Sequence, residues 1–101
     1  MEEYHHHSKI KNEQVDEFFQ AILKLKDLNE CYRFFEDICT IKEIQAIAQR
    51  LQVAKLLKQE VSYLDIEKAT KASSTTISRV NKCLKYGAEG YTLILERLGY
   101  K

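Results

Sequence analysis

The distribution of helix-breaking residues constrains this chain more than any other feature of its sequence. Proline is absent from all 101 residues, and the three glycines stand at positions 87, 90 and 99. Strands joined by tight turns need glycine or proline between them, and residues 1–86 contain neither. The chain is therefore predicted to be all-α, and its length suits one domain.

Composition narrows the class of protein. Hydrophobic residues make up 45% of the chain and charged residues 31%, the balance of a folded domain. No apolar run approaches the ~20 residues of a membrane span, and the polar N-terminus lacks the apolar part of a secretory signal. Cys31, Cys39 and Cys83 form no CxxC pair, so no metal site is expected. A cytoplasmic protein without membrane contact is expected.

Apolar residues at helical spacing predict six helices. Residues 1–10, with histidines at 5–7, are predicted to form a flexible tail, and residues 11–101 a single helical domain. The predicted helices lie at about residues 12–25, 28–39, 40–58, 63–70, 75–86 and 89–98.

The third predicted helix is apolar on two sides. One stripe includes Ile47 and Leu51, and the other includes Val53 and Leu56. A helix of this kind must be covered on both sides. In so short a chain, the second cover is expected to come from another copy.

Residues 62–86 are typical of a helix-turn-helix. Two short helices flank a turn at residues 71–73, and the first begins at a capping Ser62. Ile66, Ala69, Ile77 and Val80 are predicted to point inward and to fix the angle between the helices. Lys71 stands where such turns often have glycine, so a left-handed backbone is predicted there. Gly87 is predicted to end the second helix in a left-handed conformation.

The second helix of this motif carries the candidate DNA contacts. Short hydroxyl side chains approach base edges closely, the positive helix N-terminus favours phosphate, and cationic side chains bind phosphates or guanine. The predicted DNA-binding residues are Ser73, Ser74, Thr75, Thr76, Ser78, Arg79, Lys82 and Lys85.

Charge is unevenly distributed along the chain. Residues 1–41 carry a net charge of −4 and residues 42–85 a net charge of +5, although the whole chain is only +1. Between Lys68 and Lys85 there are five basic residues and no acidic one. A basic segment of this kind favours a polyanionic partner.

About half of the chain, from Cys39 to Tyr86, resembles the Trp repressor superfamily and especially its YerC/YecD-like branch. The long third helix and the second helix of the motif both match. The matching residues are Thr40-x-x-Glu43, Ala48-Gln49-Arg50-Leu51-x-Val53-Ala54-Lys55-Leu56-Leu57 and Thr76-Ile77-Ser78-Arg79-Val80-x-x-Cys83-Leu84-Lys85-Tyr86-Gly87.

This resemblance implies a six-helix fold, an intertwined homodimer and a regulator that binds near-palindromic double-stranded DNA. It also implies an effector pocket at Thr40, Arg50, Arg79 and Val80. In the Trp repressor a glycine at the position of Val80 makes room for tryptophan. A valine side chain fills part of that space, so L-tryptophan is not expected as co-repressor, and the identity of an effector stays open.

Two other functions are alternatives to DNA binding. The helical dimer could be a protein-interaction module whose hydroxyl-rich helix is merely surface. An enzyme is not expected, because the sequence has no P-loop, HExxH or Ser-His-Asp set, and its three histidines all lie in the predicted tail.

Overall fold

The computed structural model describes residues 6–100. Six α-helices and no strands are present in that range, which confirms the all-α class. The helices are α1 (Glu13–Leu23), α2 (Leu28–Ile38), α3 (Ile41–Lys58), α4 (Tyr63–Thr70), α5 (Ser74–Tyr86) and α6 (Gly90–Arg97).

The chain divides into two compact units, one ending at Thr40 and the other beginning at Ile41. A single domain over residues 11–101 stays a prediction. Of the predicted tail, residues 1–5 lie outside the described part, as does Lys101 at the other end. Residues 6–10 precede the first helix.

The first unit contains α1 and α2, each begun by a side-chain cap. Asn12 Oδ1 accepts a hydrogen bond from Val15 N at 2.8 Å, and Asp27 Oδ1 accepts one from Glu30 N at 2.9 Å. Such caps satisfy backbone donors that a helix start leaves unpaired. They explain why α1 begins after Asn12 and α2 begins at Leu28.

Aromatic rings join the two helices of the first unit, but they do not form a closed core. The Phe18 and Phe34 ring centroids are 6.1 Å apart. No side chain of the fully described helices α1 and α2 is buried. Leu23 and Leu28 are 76% and 72% exposed. The apolar stripe predicted for α1 is present, and much of it faces solvent in a single chain.

The second unit has a compact apolar core. Helix α3 contributes Val53 and Ala54 and α6 contributes Leu95, all with no exposed area. The helix-turn-helix supplies the remaining buried side chains, which are Ile66, Ala72, Ile77 and Val80. Burial of apolar surface is favourable by about 25 cal/mol per Å². The burial of these side chains therefore holds α4 and α5 against α3.

The C-terminal end of α6 is closed against α3. Gly99 adopts φ 98° and Tyr100 N donates to Leu95 O at 2.9 Å, so the chain turns back at the helix end. The Lys55 Nζ lies 4.7 Å from the centroid of the Tyr100 ring. These contacts keep α6, and with it Leu95, over the core behind the helix-turn-helix.

Two of the sequence predictions are wrong, one about which side chain is buried and one about a backbone conformation. Ala69 is exposed rather than inward, and Ala72 of the turn is buried at 4% exposure in its place. Gly87 is extended, with φ −88° and ψ −155°, rather than left-handed. A Cβ at residue 87 would lie 2.5 Å from the Cys83 carbonyl oxygen, so a steric contact explains the glycine.

Candidate nucleic-acid interface

Hydrogen bonds at both helix starts define the helix-turn-helix. Ser62 Oγ accepts from Asp65 N and begins α4, as the sequence predicts. Ser73 Oγ accepts from Thr76 N at 3.2 Å and begins α5. Because these caps set where each helix starts, they also set which α5 residues face outward.

The turn between α4 and α5 contains one left-handed residue. Lys71 has φ 65° and ψ 11°, as predicted, and its N–H donates to Glu67 O at 2.9 Å. Next to it, Ala72 enters the core. The left-handed turn and the buried alanine together direct the chain into α5.

Helix α5 has one buried face and one exposed face. Ile77 and Val80 point into the core, with 0% and 2% exposure. The exposed residues of the predicted DNA-binding set are Ser73, Ser74, Thr75, Ser78, Arg79, Lys82 and Lys85. The helix therefore presents hydroxyl groups at its N-terminal end and cations along its length, while its apolar side is held by the rest of the unit.

Five of these residues line one shallow depression of about 320 Å³ on the α5 surface: Ser74, Thr75, Ser78, Arg79 and Lys82. Lys85 lies outside it, close to the C-terminal end of the helix. Thr76 differs from the rest of the predicted set because it is half-buried and its hydroxyl accepts from Ser73 Oγ at 3.2 Å. Ser73 and Thr76 thus act together at the helix start.

The charged side chains of this α5 surface are all basic. No acidic side chain occurs between Lys68 and Lys85 in the sequence. The α5 N-terminus, where residues 74–76 leave backbone N–H groups without intrahelical acceptors, adds a partial positive charge. A surface of this kind attracts phosphate and lets short side chains approach base edges.

The residues of the hypothesised effector pocket lie in different surroundings. Arg50 is exposed and lines a second depression, of about 450 Å³, together with Leu51, Cys83 and Tyr91 among others. Arg79 belongs to the α5 depression, and the Val80 side chain belongs to the core. Thr40 is the last residue of the first unit. A shared pocket for the four residues stays a prediction.

The sequence does not indicate two residues that support this motif, Gln49 of α3 and Ala72 within its turn. Gln49 of α3 donates its side-chain amide to Thr70 O at 3.1 Å, and Thr70 Oγ1 accepts from Ala72 N at 3.1 Å. Gln49 belongs to the segment of α3 that resembles the family named above. No pattern in the sequence indicates its hydrogen bond to Thr70, 21 positions away. The sequence signal for the burial of Ala72 is that it is the one apolar residue of a polar turn.

A protein-family model, a bacterial protein and two solved structures each match most of this chain. Residues 13–99 match the family model described as "Trp repressor protein". An uncharacterized protein of Bacillus subtilis (strain 168), YerC, is 52% identical over 90 residues, covering 89% of this chain and 86% of YerC.

Two solved structures match over nearly the whole chain. One, from Staphylococcus aureus, has a TM-score of 0.88 and 48% identity, covering 92% of this chain and 93% of its own. The other, a TrpR-like protein from Eubacterium eligens ATCC 27750, has a TM-score of 0.87 and 56% identity, covering 90% and 94%.

Proposed function

Because the chain belongs to the Trp repressor family, we propose that it is a homodimeric transcriptional regulator that binds specific sequences in double-stranded DNA. One observation carries this proposal. Helix α5 exposes a continuous surface of hydroxyl groups and cations while its opposite face is fixed in a closed core. A rigidly held helix with such a surface suits the major groove.

The exposed side chains divide into two groups by what they can contact. Ser74, Thr75 and Ser78 are short and lie at the N-terminal end of α5, where they can reach base edges. Arg79 can donate to guanine or to phosphate, and Lys82 and Lys85 supply phosphate contacts along the groove. Phosphate contacts position the helix, and base contacts give sequence preference.

A second copy of the chain completes the first unit in this proposal. The exposed apolar side chains of α1 and α2 need a cover, and two helices without a buried side chain do not make a stable core. A homodimer provides that cover and places two α5 helices on one duplex. A twofold dimer would present them about one turn of DNA apart, ~34 Å.

The proposed regulator acts without L-tryptophan. By the resemblance of the sequences, Val80 stands where the Trp repressor has a glycine, and its side chain is packed into the core. We therefore expect the same DNA affinity with and without saturating L-tryptophan in a binding titration. An increase in affinity with L-tryptophan would contradict this part of the proposal and would direct attention to Thr40, Arg50 and Arg79.

We expect the proposed regulator to act in the cytoplasm. None of the helices between residues 6 and 100 is long and apolar enough to cross a membrane.

Salt dependence of DNA binding tests the assigned surface. Selection from a random duplex library of about 30 base pairs, three helical turns, supplies the probe. Affinity should fall steeply as salt rises, because each phosphate contact releases counterions. The double variant Arg79→Ala with Lys82→Ala should reduce the logarithmic salt slope by about 1.8 per chain, or about 3.6 for a dimer.

The control for that variant removes the same charge elsewhere. Lys24→Ala with Lys26→Ala changes two exposed lysines just after the end of α1, and the slope should stay at the wild-type value. An unchanged slope in the α5 variant would show that the site is misassigned. A protein that selects no duplex, but retains a protein partner after nuclease treatment, would favour an interaction module instead.

A further inference from the structure

The last residue of α4 is a junction of hydrogen bonds. Thr70 Oγ1 donates to Ile66 O at 2.7 Å and accepts from Ala72 N at 3.1 Å. One hydroxyl thus ties the final turn of α4 to the backbone of the turn that follows. Because Ala72 is buried and immediately precedes the capping Ser73, this bond lies directly behind the start of α5.

Helix α3 reaches the same junction. The half-buried Gln49 donates its Nε2 to the Thr70 carbonyl oxygen at 3.1 Å. That carbonyl is one of the last four of α4, which accept no hydrogen bond from an N–H group within the helix. The bond therefore joins α3 to the end of α4 at a defined point.

These contacts make a continuous path from α3 to α5. It runs from Gln49 to Thr70, from Thr70 to Ala72 and, through the Ser73 cap, to Thr76. Resting on the proposed function, we propose that Gln49 and Thr70 are positioning residues that set the orientation of α5 and thereby its discrimination between DNA sequences.

Apolar packing alone does not fix the orientation of α5, so directional contacts such as these hydrogen bonds are needed. Apolar contacts between α3 and the motif resist separation, but the hydrophobic effect is non-directional. Hydrogen bonds prefer nearly linear geometry and a narrow range of lengths. Readout of base edges requires the reading side chains to be held within about 0.5 Å. Gln49 and Thr70 add that directional restraint, and neither of them lines the α5 depression that holds the candidate DNA contacts.

Two matched pairs of variants test the proposal. Gln49→Met removes the amide donor at nearly constant size. Gln52→Met makes the same change at another glutamine of α3, which lines the same surface depression as Gln49 and Thr70. Among the described residues, the side-chain hydrogen bond from α3 to α4 comes from Gln49 and not from Gln52. Thr70→Val removes the hydroxyl and keeps the shape, whereas Thr70→Ser keeps the hydroxyl.

The decisive readout is the ratio of affinities for two duplexes. One is the duplex selected by the wild-type protein, and the other is a scrambled duplex of the same composition. Gln49→Met and Thr70→Val should each lower this ratio about fivefold, the effect of losing one hydrogen bond. The affinity for the scrambled duplex should not change, because the phosphate-binding cations are intact. Gln52→Met and Thr70→Ser should keep the wild-type ratio.

Hydrogen exchange measures the positioning itself, without DNA. The amides of Ala72 and Thr76 should exchange about fivefold faster in Gln49→Met and Thr70→Val. The amides of Val53 and Ala54 should exchange at the wild-type rate. A purely structural role would accelerate exchange in the α3 core as well and would weaken binding to both duplexes equally.

The possible results separate this inference from the proposed function. A wild-type protein that discriminates between duplexes, with variants that discriminate equally well, overturns the positioning role and leaves the function intact. A wild-type protein that binds no duplex overturns the function. In that case unchanged exchange at Ala72 and Thr76 overturns the positioning role too, and faster exchange supports the path from α3 to α5.

Discussion

A lysine with a left-handed backbone stands at the turn of the motif. The left-handed conformation costs a residue with a Cβ about 1 kcal/mol or more, and glycine adopts it freely. Lys71, at φ 65°, is in that conformation, and its side chain is exposed. The spacing of the motif predicted this strain from the sequence, because glycine is frequent at this point of such turns.

Replacement of Lys71 by glycine should therefore stabilise the protein. Lys71→Gly is expected to raise the free energy of unfolding by about 1 kcal/mol. Lys68→Gly, which removes the same side chain from inside α4, should lower it by about 1 kcal/mol. Urea unfolding at one fixed protein concentration compares them, and destabilisation by both variants would contradict the account of the turn.

Gly87 illustrates what the sequence could not indicate at this scale. A glycine after a helix predicts a left-handed cap, but here the backbone is extended and a carbonyl lies where a Cβ would be. Such a contact depends on the exact path of the chain. A glycine after a helix does not specify that path.

Substitution of the glycines separates these two explanations. Gly87→Ala should lower the free energy of unfolding by about 1–3 kcal/mol, because backbone atoms must shift. Gly90→Ala should be neutral or stabilising by up to about 1 kcal/mol, since nothing lies within 4 Å of its Cβ position. If thermal or urea unfolding gave the two variants equal stability, the steric explanation would fail.

At the scale of helices, apolar periodicity and capping residues predicted most of what is observed. Helix α4 has the predicted bounds, and α5 begins at Ser74, one residue earlier than predicted, because Ser73 is its cap. The predicted end of α1 at residue 25 lies two residues beyond the observed end at Leu23. Periodicity continues to Leu25, which is half-buried although it lies beyond the helix.

The Ser73 cap should determine how well α5 is formed. Ser73→Ala is expected to cost about 1 kcal/mol of stability, because Thr76 N loses its acceptor. Ser74→Ala, at an exposed first helical position, should stay within about 0.5 kcal/mol of wild type. Urea unfolding of both variants measures the difference, and equal losses would mean that the cap contributes nothing specific.

At the scale of the whole molecule, the sequence predicted an apolar surplus that one chain does not bury. The two-sided third helix indicated a partner copy, and exposed apolar residues on α1, α2 and α3 are consistent with it, Ile47 of α3 being 50% exposed. Which residues a partner would cover depends on contacts between chains. No periodicity within one chain specifies those contacts, so the dimer stays a prediction.

Leu23 tests the second copy directly. In one chain it is 76% exposed, so Leu23→Lys should have almost no effect if the protein is a monomer. If a partner covers the side chain, the variant should lose about 2 kcal/mol of stability. Gln20→Lys, an exposed polar residue of the same helix, is the control. Light scattering should give twice the 11.9 kDa chain mass for wild type, and a monomer mass would contradict the dimer.

The symmetry of the selected DNA tests the central claim most directly. Wild-type protein and the random duplex library should yield two half-sites in inverted repeat, with centres about 10–10.5 base pairs apart, because two α5 helices of one dimer enter successive major grooves. Recovery of an unenriched library, or of a single site without twofold symmetry, would contradict a dimeric regulator that reads DNA through α5.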